Sequence, residues 1–245
     1  MKFSRIYNVR SSEITPTYRL KEFYVGMYFQ ECFAEYMDSM KLAAYDVAKL
    51  GLTWLTSDVK IKYFAPMPFW REAVEMRVWV RGAGAVRLFI DFEAIYKKNI
   101  IAKGSSVQLI ADLKNRHPQR ITEIANKFEK EPECALGESP FQKIRIPAGE
   151  KTQTTQVVRF DDLDFNMHLN NVKYVPRALE SIPLEYRHRH KLLSYQIKFM
   201  HETFFNNTVL SEAYRDGDQF FHRLSRVEDG VELCEMESDW IETNE

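Results

Sequence analysis

The sequence has 245 residues, of which 45% are hydrophobic and 28% are charged, and its formal net charge is -1. This composition is ordinary for a globular protein with one large core or two small ones, and the charge argues against nucleic acid or an anionic membrane as a partner. Three widely spaced cysteines predict free thiols in a reducing compartment. Without a secretory signal or a run of roughly 20 apolar residues, we expect a cytoplasmic protein with no membrane span.

The first half of the chain predicts a strand, a long helix and four further strands. The first strand-like segment covers residues 17–25. Apolar side chains then recur every three or four positions from Phe29 to Leu50, which is typical of an amphipathic helix, and Gly51 stands where that helix would end. Four runs rich in β-forming residues follow, at 54–64, 73–81, 86–96 and 100–112.

The second half repeats this order. Residues 121–130 predict a short charged helix, and residues 131–149 predict a linker because they are rich in proline and glycine. We therefore expect one domain at residues 1–130 and another at residues 150–245. Strands are predicted in the second at 153–160, 192–200, 208–215, 219–227 and 231–241. The repeat favours an α+β fold of two antiparallel sheets, each with one central helix, as a pseudo-two-fold pair in one chain.

Residues 163–170 carry side chains suited to catalysis. Apolar and polar residues alternate there, and the polar ones are Asp164, Asn166, His168 and Asn170. In an extended backbone, residues two apart share a face, so a carboxylate, an amide and an imidazole would stand side by side. A half-buried strand with a wet outer face is the alternative, although Asp and Asn are unfavourable in strands.

A second helix is predicted directly after this stretch. Asn170 and Asn171 are typical helix caps, and residues 172–181 have helix-like content. Pro176 falls inside this segment, which predicts a helix that bends or begins late. The basic residues 187–191 predict a solvated loop, with docking of an acidic partner or its phosphate as the alternative.

The second half resembles the acyl-acyl carrier protein (acyl-ACP) thioesterases, the fatty acyl thioesterases of plant plastids and bacteria. The similarity rests on Asp164-x-Asn166-x-His168 with the residues up to Tyr174, and on residues 179–183 and 195–202. It implies a tandem hot-dog fold, in which each sheet wraps around its helix. It also implies an enzyme that hydrolyses fatty acyl-ACP to free fatty acid and carrier protein, which ends fatty acid synthesis.

The same resemblance implies four catalytic residues: Asp164, Asn166, His168 and Glu202. Thioester hydrolysis needs a base, a positioned water and donors for the developing oxyanion, but little acid assistance, since a thiol ionises with a pKa of ~8.5. Either carboxylate can serve as the base, while Asn166 and His168 can orient the water and polarise the carbonyl. Many plant members have Cys where this chain has Thr203, so a carboxylate-and-water mechanism is favoured over a cysteine nucleophile.

Further assignments concern the oxyanion, the acyl chain and the partners. The backbone N–H groups of Asn171 and Val172 are candidates for holding the oxyanion. Phe33, Met37 and Met40 on the first helix are candidates for lining an acyl pocket, and we expect no metal or cofactor. The predicted partner is acyl carrier protein with a phosphopantetheine-linked chain, and self-association as a homodimer stays open.

Three alternatives share these features. The fold also suits an acyl-CoA thioesterase, a dehydratase of hydroxyacyl chains, or an acyl-binding module without catalysis. The retained Asp164, Asn166, His168 and Glu202 argue against a binding module. Acyl chain length and the preference for carrier protein over CoA are not decided by the sequence.

Overall fold

Ten strands, five in each half of the chain, form the structure, a computed structural model that describes residues 2–243. The chain divides into two units, of which the first ends at Pro140 and the second begins at Phe141. This boundary lies within the segment 131–149. The α+β class and the antiparallel strands of each unit, as predicted from the sequence, are confirmed.

The first unit contains five strands in the order β1-β3-β4-β5-β2, and every neighbouring pair is antiparallel. Its strands are β1 (Phe3–Asn8), β2 (Leu52–Tyr63), β3 (Ala73–Ala83), β4 (Arg87–Tyr96) and β5 (Asn99–Asp112). Its helices are α1 (Tyr24–Ser39), α2 (Ala44–Ala48) and α3 (Thr122–Ala125), with a 3₁₀ turn at Ser11–Glu13.

The second unit repeats this sheet with the order β6-β8-β9-β10-β7. Its strands are β6 (Lys151–Val157), β7 (His190–Phe199), β8 (Thr208–Asp216), β9 (Gln219–Arg226) and β10 (Glu232–Glu242). Its helices are α4 (Tyr174–Leu179) and α5 (Leu184–Arg189), with 3₁₀ turns at Phe160–Asp162 and Asn171–Lys173. No helix within residues 2–243 is both long and apolar enough to cross a bilayer.

Helix α1 packs its apolar face on the first sheet. Phe29 stacks on the ring of Phe92 in β4, with 4.0 Å between the ring centroids, and Phe33 meets the edge of Trp54 in β2. Gly104 in β5 makes room for Phe92, because a Cβ atom at this position would lie 2.0 Å from the ring. These contacts bury the centre of the unit around Phe92, which has no exposed surface.

The strand predicted at residues 17–25 is wrong. Residues 14–20 form a tight turn, closed by a bridge between Ile14 and Leu20, and Tyr18 has a φ of 62°, which ends any extended run. The first strand of the unit is instead β1, which pairs with β3. Its residues are mostly exposed because it lies at a sheet edge, so no strict alternation marks it in the sequence.

Two predicted helices are shorter than expected. The helix predicted to run to Gly51 is interrupted after Ser39, since Lys41 has a φ of 54°, and it resumes as α2. Of the predicted helix at 121–130, only Thr122–Ala125 is helical.

The basic residues 187–191, predicted as a loop, belong instead to a helix and a strand. Arg187 and Arg189 lie in the last turn of α5, and His190 begins β7.

Candidate active site

Residues 163–169 form a tight turn, so the extended strand predicted for this stretch is wrong. A bridge between Leu163 and Leu169 closes the turn, and Met167 near its tip has a φ of 63°. Phe165 and Met167, which the alternation placed on a buried face, are 73% and 54% exposed. We name residues 163–169, which include three of the four predicted catalytic residues, the catalytic loop.

Asp164 holds the catalytic loop in this conformation. Its Oδ1 accepts the backbone N–H of Asn166 at 2.8 Å and that of His168 at 3.2 Å, while its own N–H donates to the carbonyl of His168 at 2.8 Å. Such a side-chain bond to the following backbone is how Asp favours turns over strands. The carboxylate that the pattern suggested as a base therefore also builds the loop.

His168 and Glu202 come together although 34 positions of sequence separate them. Nδ1 of His168 lies 3.2 Å from Oε1 of Glu202, and their side chains are 12% and 35% exposed. Glu202 lies in the connection between β7 and β8, where a bridge between His168 and Phe204 ties that connection to the catalytic loop. The imidazole also meets the edge of the Phe204 ring at a centroid distance of 5.0 Å.

Arg226 at the end of β9 fixes the backbone of Glu202. Its Nη1 donates to the Glu202 carbonyl at 3.1 Å, while its Nε and Nη2 donate to the two carboxylate oxygens of Asp229 at 2.9 and 2.6 Å. Arg226 and Phe204 are neighbours of the site that the sequence alone does not reveal. No local pattern marks them, because they reach the site only through the pairing of β8 with β9 and through the β7–β8 connection.

The segment after the catalytic loop is capped as predicted, but its helix begins later. Oδ1 of Asn170 accepts the N–H of Val172 at 3.2 Å, and the 3₁₀ turn Asn171–Lys173 precedes α4. Because the N–H of Val172 is already donated, Asn171 becomes the better of the two predicted oxyanion donors. Pro176 lies in the first turn of α4, where a backbone N–H has no partner within the helix, so the proline costs no helical bond.

Tyr174 is a buried phenol close to the predicted catalytic residues. Burial is the largest cause that raises its pKa, and the charges of Cys234, Glu202 and Asp164 raise it further. Its ring meets the edge of Phe199 at 5.4 Å. The phenol therefore stays un-ionised beside the two carboxylates.

The predicted site residues thus fall into two groups. Asp164, His168 and Glu202 come together in the second unit, and Asn166 is bound to Asp164 through its backbone. Phe33 and Met37, predicted to line an acyl pocket, are buried in α1 of the first unit with 8% and 1% exposure, and Met40 follows the end of that helix. Their role in binding an acyl chain stays a prediction.

The first unit contains the same turn without the predicted catalytic groups. Ile14 pairs with Leu20 as Leu163 pairs with Leu169, and Arg19 forms a bridge with Phe69 as His168 does with Phe204. At the positions of Asp164, Asn166 and His168 stand residues of different chemistry, namely Thr15, Thr17 and Arg19. This supports the prediction of a single active site per chain.

Residues 146–242 match the model of the acyl-ACP thioesterase C-terminal domain, which confirms the resemblance seen in the sequence. Among curated proteins, the chain is 24% identical over 211 residues to the chloroplastic acyl-[acyl-carrier-protein] hydrolase FATB1 of Cuphea viscosissima. That alignment covers 81% of this chain and 50% of the plant protein. The chain therefore spans about half the length of the curated relatives that it matches.

Solved structures share the fold over nearly the whole chain. The 12:0-ACP thioesterase of Umbellularia californica has a TM-score of 0.87 at 20% identity, and the alignment covers 99% of this chain and 98% of that one. An acyl-ACP thioesterase from Bacteroides thetaiotaomicron has a TM-score of 0.86 at 16% identity, with 97% of both chains covered. The tandem hot-dog fold is confirmed by these similarities.

Proposed function

Because residues 146–242 match the C-terminal domain of the acyl-ACP thioesterases, we propose that this chain hydrolyses the thioester of fatty acyl-ACP to a free fatty acid and carrier protein. The observation that carries the proposal is the contact of 3.2 Å between Nδ1 of His168 and Oε1 of Glu202, beside a loop built by Asp164. An imidazole oriented by a carboxylate is a common general base.

In the proposed mechanism, the Glu202 carboxylate accepts a hydrogen bond from the Nδ1–H group of His168. This leaves Nε2 to take a proton from a water molecule that attacks the thioester carbonyl. The C–S bond then breaks, the electron pair leaves on sulfur, and the imidazolium returns its proton to the thiolate. A thiol with a pKa of ~8.5 is a good enough leaving group to need no stronger acid.

Asn166, Asn171 and Asp164 have supporting roles in this mechanism. The Asn166 amide can donate to the attacking water or to the carbonyl oxygen, and the N–H of Asn171 is the proposed oxyanion donor. Asp164 keeps the backbone of Asn166 and His168 in place through its two hydrogen bonds. Glu202, or Asp164, as the direct base remains an alternative within the same reaction.

Exposed apolar side chains in the second unit support a fatty acyl substrate. Phe165 and Met167 on the catalytic loop are largely exposed, and so are Phe204 and Phe205 next to Glu202. Exposed apolar groups around a polar site are typical of sites that bind apolar ligands. The carrier protein as partner is proposed on the similarity to acyl-ACP hydrolases. A cytoplasmic location and a homodimer stay predictions from the sequence.

The test is thiol release from acyl-ACP of several chain lengths, with the matched acyl-CoA thioesters alongside and Asp164→Ala as the variant. We expect turnover of acyl-ACP that exceeds turnover of acyl-CoA and that Asp164→Ala reduces by about 100-fold. Equal or better turnover of acyl-CoA would mean that the substrate is an acyl-CoA thioester and not acyl-ACP. Release of no thiol from any chain length would leave acyl binding without catalysis.

A further inference from the structure

A buried ion pair joins α4 to the base of the catalytic loop. Nη2 of Arg177 lies 2.6 Å from Oδ2 of Asp162, and the two side chains are only 8% and 15% exposed. Burial alone would raise the pKa of Asp162. The hydrogen bonds from the Arg159 N–H and from Arg177, with the charge of Arg177, outweigh burial and hold this pKa below its usual range. Asp162 is therefore a carboxylate in the folded chain.

Asp162 is placed to set the position of the catalytic loop. It ends the 3₁₀ turn that precedes Leu163, and its carbonyl accepts the N–H of Asn170 at 2.9 Å. Both ends of the loop therefore meet at Asp162. A displacement of this residue would carry Asp164 and His168 with it.

Arg177 also reaches the turn that holds the proposed oxyanion donor. Its Nη1 makes a long contact of 3.5 Å with the carbonyl of Lys173, the last residue of the 3₁₀ turn Asn171–Lys173. One guanidinium thus contacts the segment before the catalytic loop and the segment after it. The planar fork of Arg is suited to holding two acceptors in a fixed relation.

The first unit contains an equivalent arrangement in which a neutral hydroxyl takes the place of the guanidinium. Tyr28 in α1 donates its hydroxyl to Oε2 of Glu13, and this pair is 15 positions apart, as are Asp162 and Arg177. Oε2 of Glu13 also accepts the N–H of Arg10, as Oδ2 of Asp162 accepts that of Arg159. Arg10 contributes a longer, exposed ion pair to Glu13, with 3.9 Å between Nε and Oε1, whereas the buried guanidinium on the helix occurs in the unit that carries the predicted catalytic residues.

We propose that Arg177 is a positioning residue for thioester hydrolysis, which sets the distance between the His168 side of the site and the Asn171 turn by binding Asp162 and Lys173. This inference rests on the proposed function. A buried ion pair is weak evidence for stability, since desolvation offsets much of its attraction, and a role in fixing geometry accounts for it better. Displacements of about 1 Å in a catalytic group can cost about 100-fold in rate.

The experiment compares Arg177→Met with Tyr28→Phe, which removes the equivalent bond from the unit that lacks the catalytic residues. We expect Arg177→Met to lower kcat for acyl-ACP hydrolysis by about 10- to 100-fold with KM changed by less than about threefold. Tyr28→Phe should leave kcat within about twofold. Arg177→Tyr copies the donor of the first unit. It should have a urea midpoint of unfolding close to that of the native chain, but its kcat should stay as low as that of Arg177→Met.

Hydrogen exchange gives a second readout that does not depend on activity. Arg177→Met should speed amide exchange of residues 163–174 by about tenfold, whereas Tyr28→Phe should affect residues 14–21 only. If Arg177→Met does not fold, Arg177→Lys replaces it, with kcat expected to fall because the forked geometry is lost. Equal effects of Arg177→Met and Tyr28→Phe on kcat, or unchanged exchange of residues 163–174, would overturn the proposal. A native chain that releases no thiol defeats the proposed function, and exchange still decides whether Arg177 places the loop.

Discussion

At the scale of single residues, the two carboxylates of the site differ in what they bind. Asp164 accepts two backbone N–H groups of its own loop, while Glu202 faces the imidazole of His168. Oδ1 of Asp164 is occupied by the two backbone donors of the loop, whereas the carboxylate of Glu202 is directed at the ring that would take the proton. We therefore assign Glu202 to orient His168 and Asp164 to shape the loop.

Replacement of Glu202 by Gln tests this division. The amide keeps the shape of the side chain but loses the charge that stabilises a protonated imidazole, so we expect kcat to fall by about 100-fold or more with little change in KM. Thiol release under saturating substrate measures the effect. Glu185→Gln, an exposed position on α5, serves as the control and should retain full activity. A Glu202→Gln enzyme within threefold of the native rate would contradict the assignment.

His222 in β9 predicts a pH dependence of stability that is separate from catalysis. The side chain is fully buried, and burial lowers its pKa from 6.5 to about 3. Between these values the unfolded chain binds a proton that the folded chain does not, so stability falls as the pH falls below 6.5. The slope is at most about 1.4 kcal/mol per pH unit for one such group.

In His222→Gln this contribution is absent. We expect the variant to be less stable than the native chain at pH 7.5, and the difference in free energy of unfolding to shrink as the pH falls from 6.5 towards 4.5. Urea denaturation at several pH values measures this difference. His188→Gln, an exposed position on α5, is the matched control over the same range. A constant difference for His222→Gln would show that its titration does not contribute.

At the scale of secondary-structure elements, burial decides which predictions from the sequence hold. Strands β3 and β4 agree with the predicted runs to within two residues at each end, because their side chains pack in the core and leave a clear apolar pattern. The edge strand β1 escaped prediction, since few of its residues are buried. Short-range pattern is therefore informative only where one face of the element is covered.

The catalytic loop shows a different limit of sequence reasoning. Its alternation is the pattern of a strand, yet hydrogen bonds from the backbone to Asp164 and a positive φ at Met167 make it a turn. Glu202 could be assigned only from the resemblance to a family, because nothing local relates it to His168. Arg177 and Arg226 became visible only with the three-dimensional contacts.

Close packing within the first sheet gives a prediction at the same scale. In Gly104→Ala, the new methyl group would lie 2.0 Å from Phe92, whose ring is stacked on Phe29 and cannot move freely. We expect a loss of about 1–3 kcal/mol in the free energy of unfolding, measured by urea denaturation. Gly82→Ala is the matched control, because no atom lies within 4 Å of its added Cβ, and it should cost little. Equal effects would contradict the packing argument.

At the scale of the whole molecule, each unit has its own core and its own buried cysteine. Cys32 in α1 and Cys234 in β10 are both 0% exposed, whereas Cys134 is half-buried. Burial raises the pKa of the Cys32 thiol to about 12, and burial likewise raises the pKa of Cys234. The reactive thiolate is therefore scarce at both buried positions until the surrounding unit opens.

The cysteines can report the opening of each unit within the full chain. Under native conditions a thiol reagent should modify Cys134 first, and Cys32 and Cys234 should react only as urea unfolds the first and second units. If the units open separately, Gly104→Ala should lower the urea midpoint for labelling of Cys32 more than the midpoint for Cys234, because Gly104 belongs to the core of the first unit. Mass spectrometry of the labelled peptides measures both. Equal shifts at the two cysteines would mean that the units unfold as one, since a two-state transition exposes both thiols together.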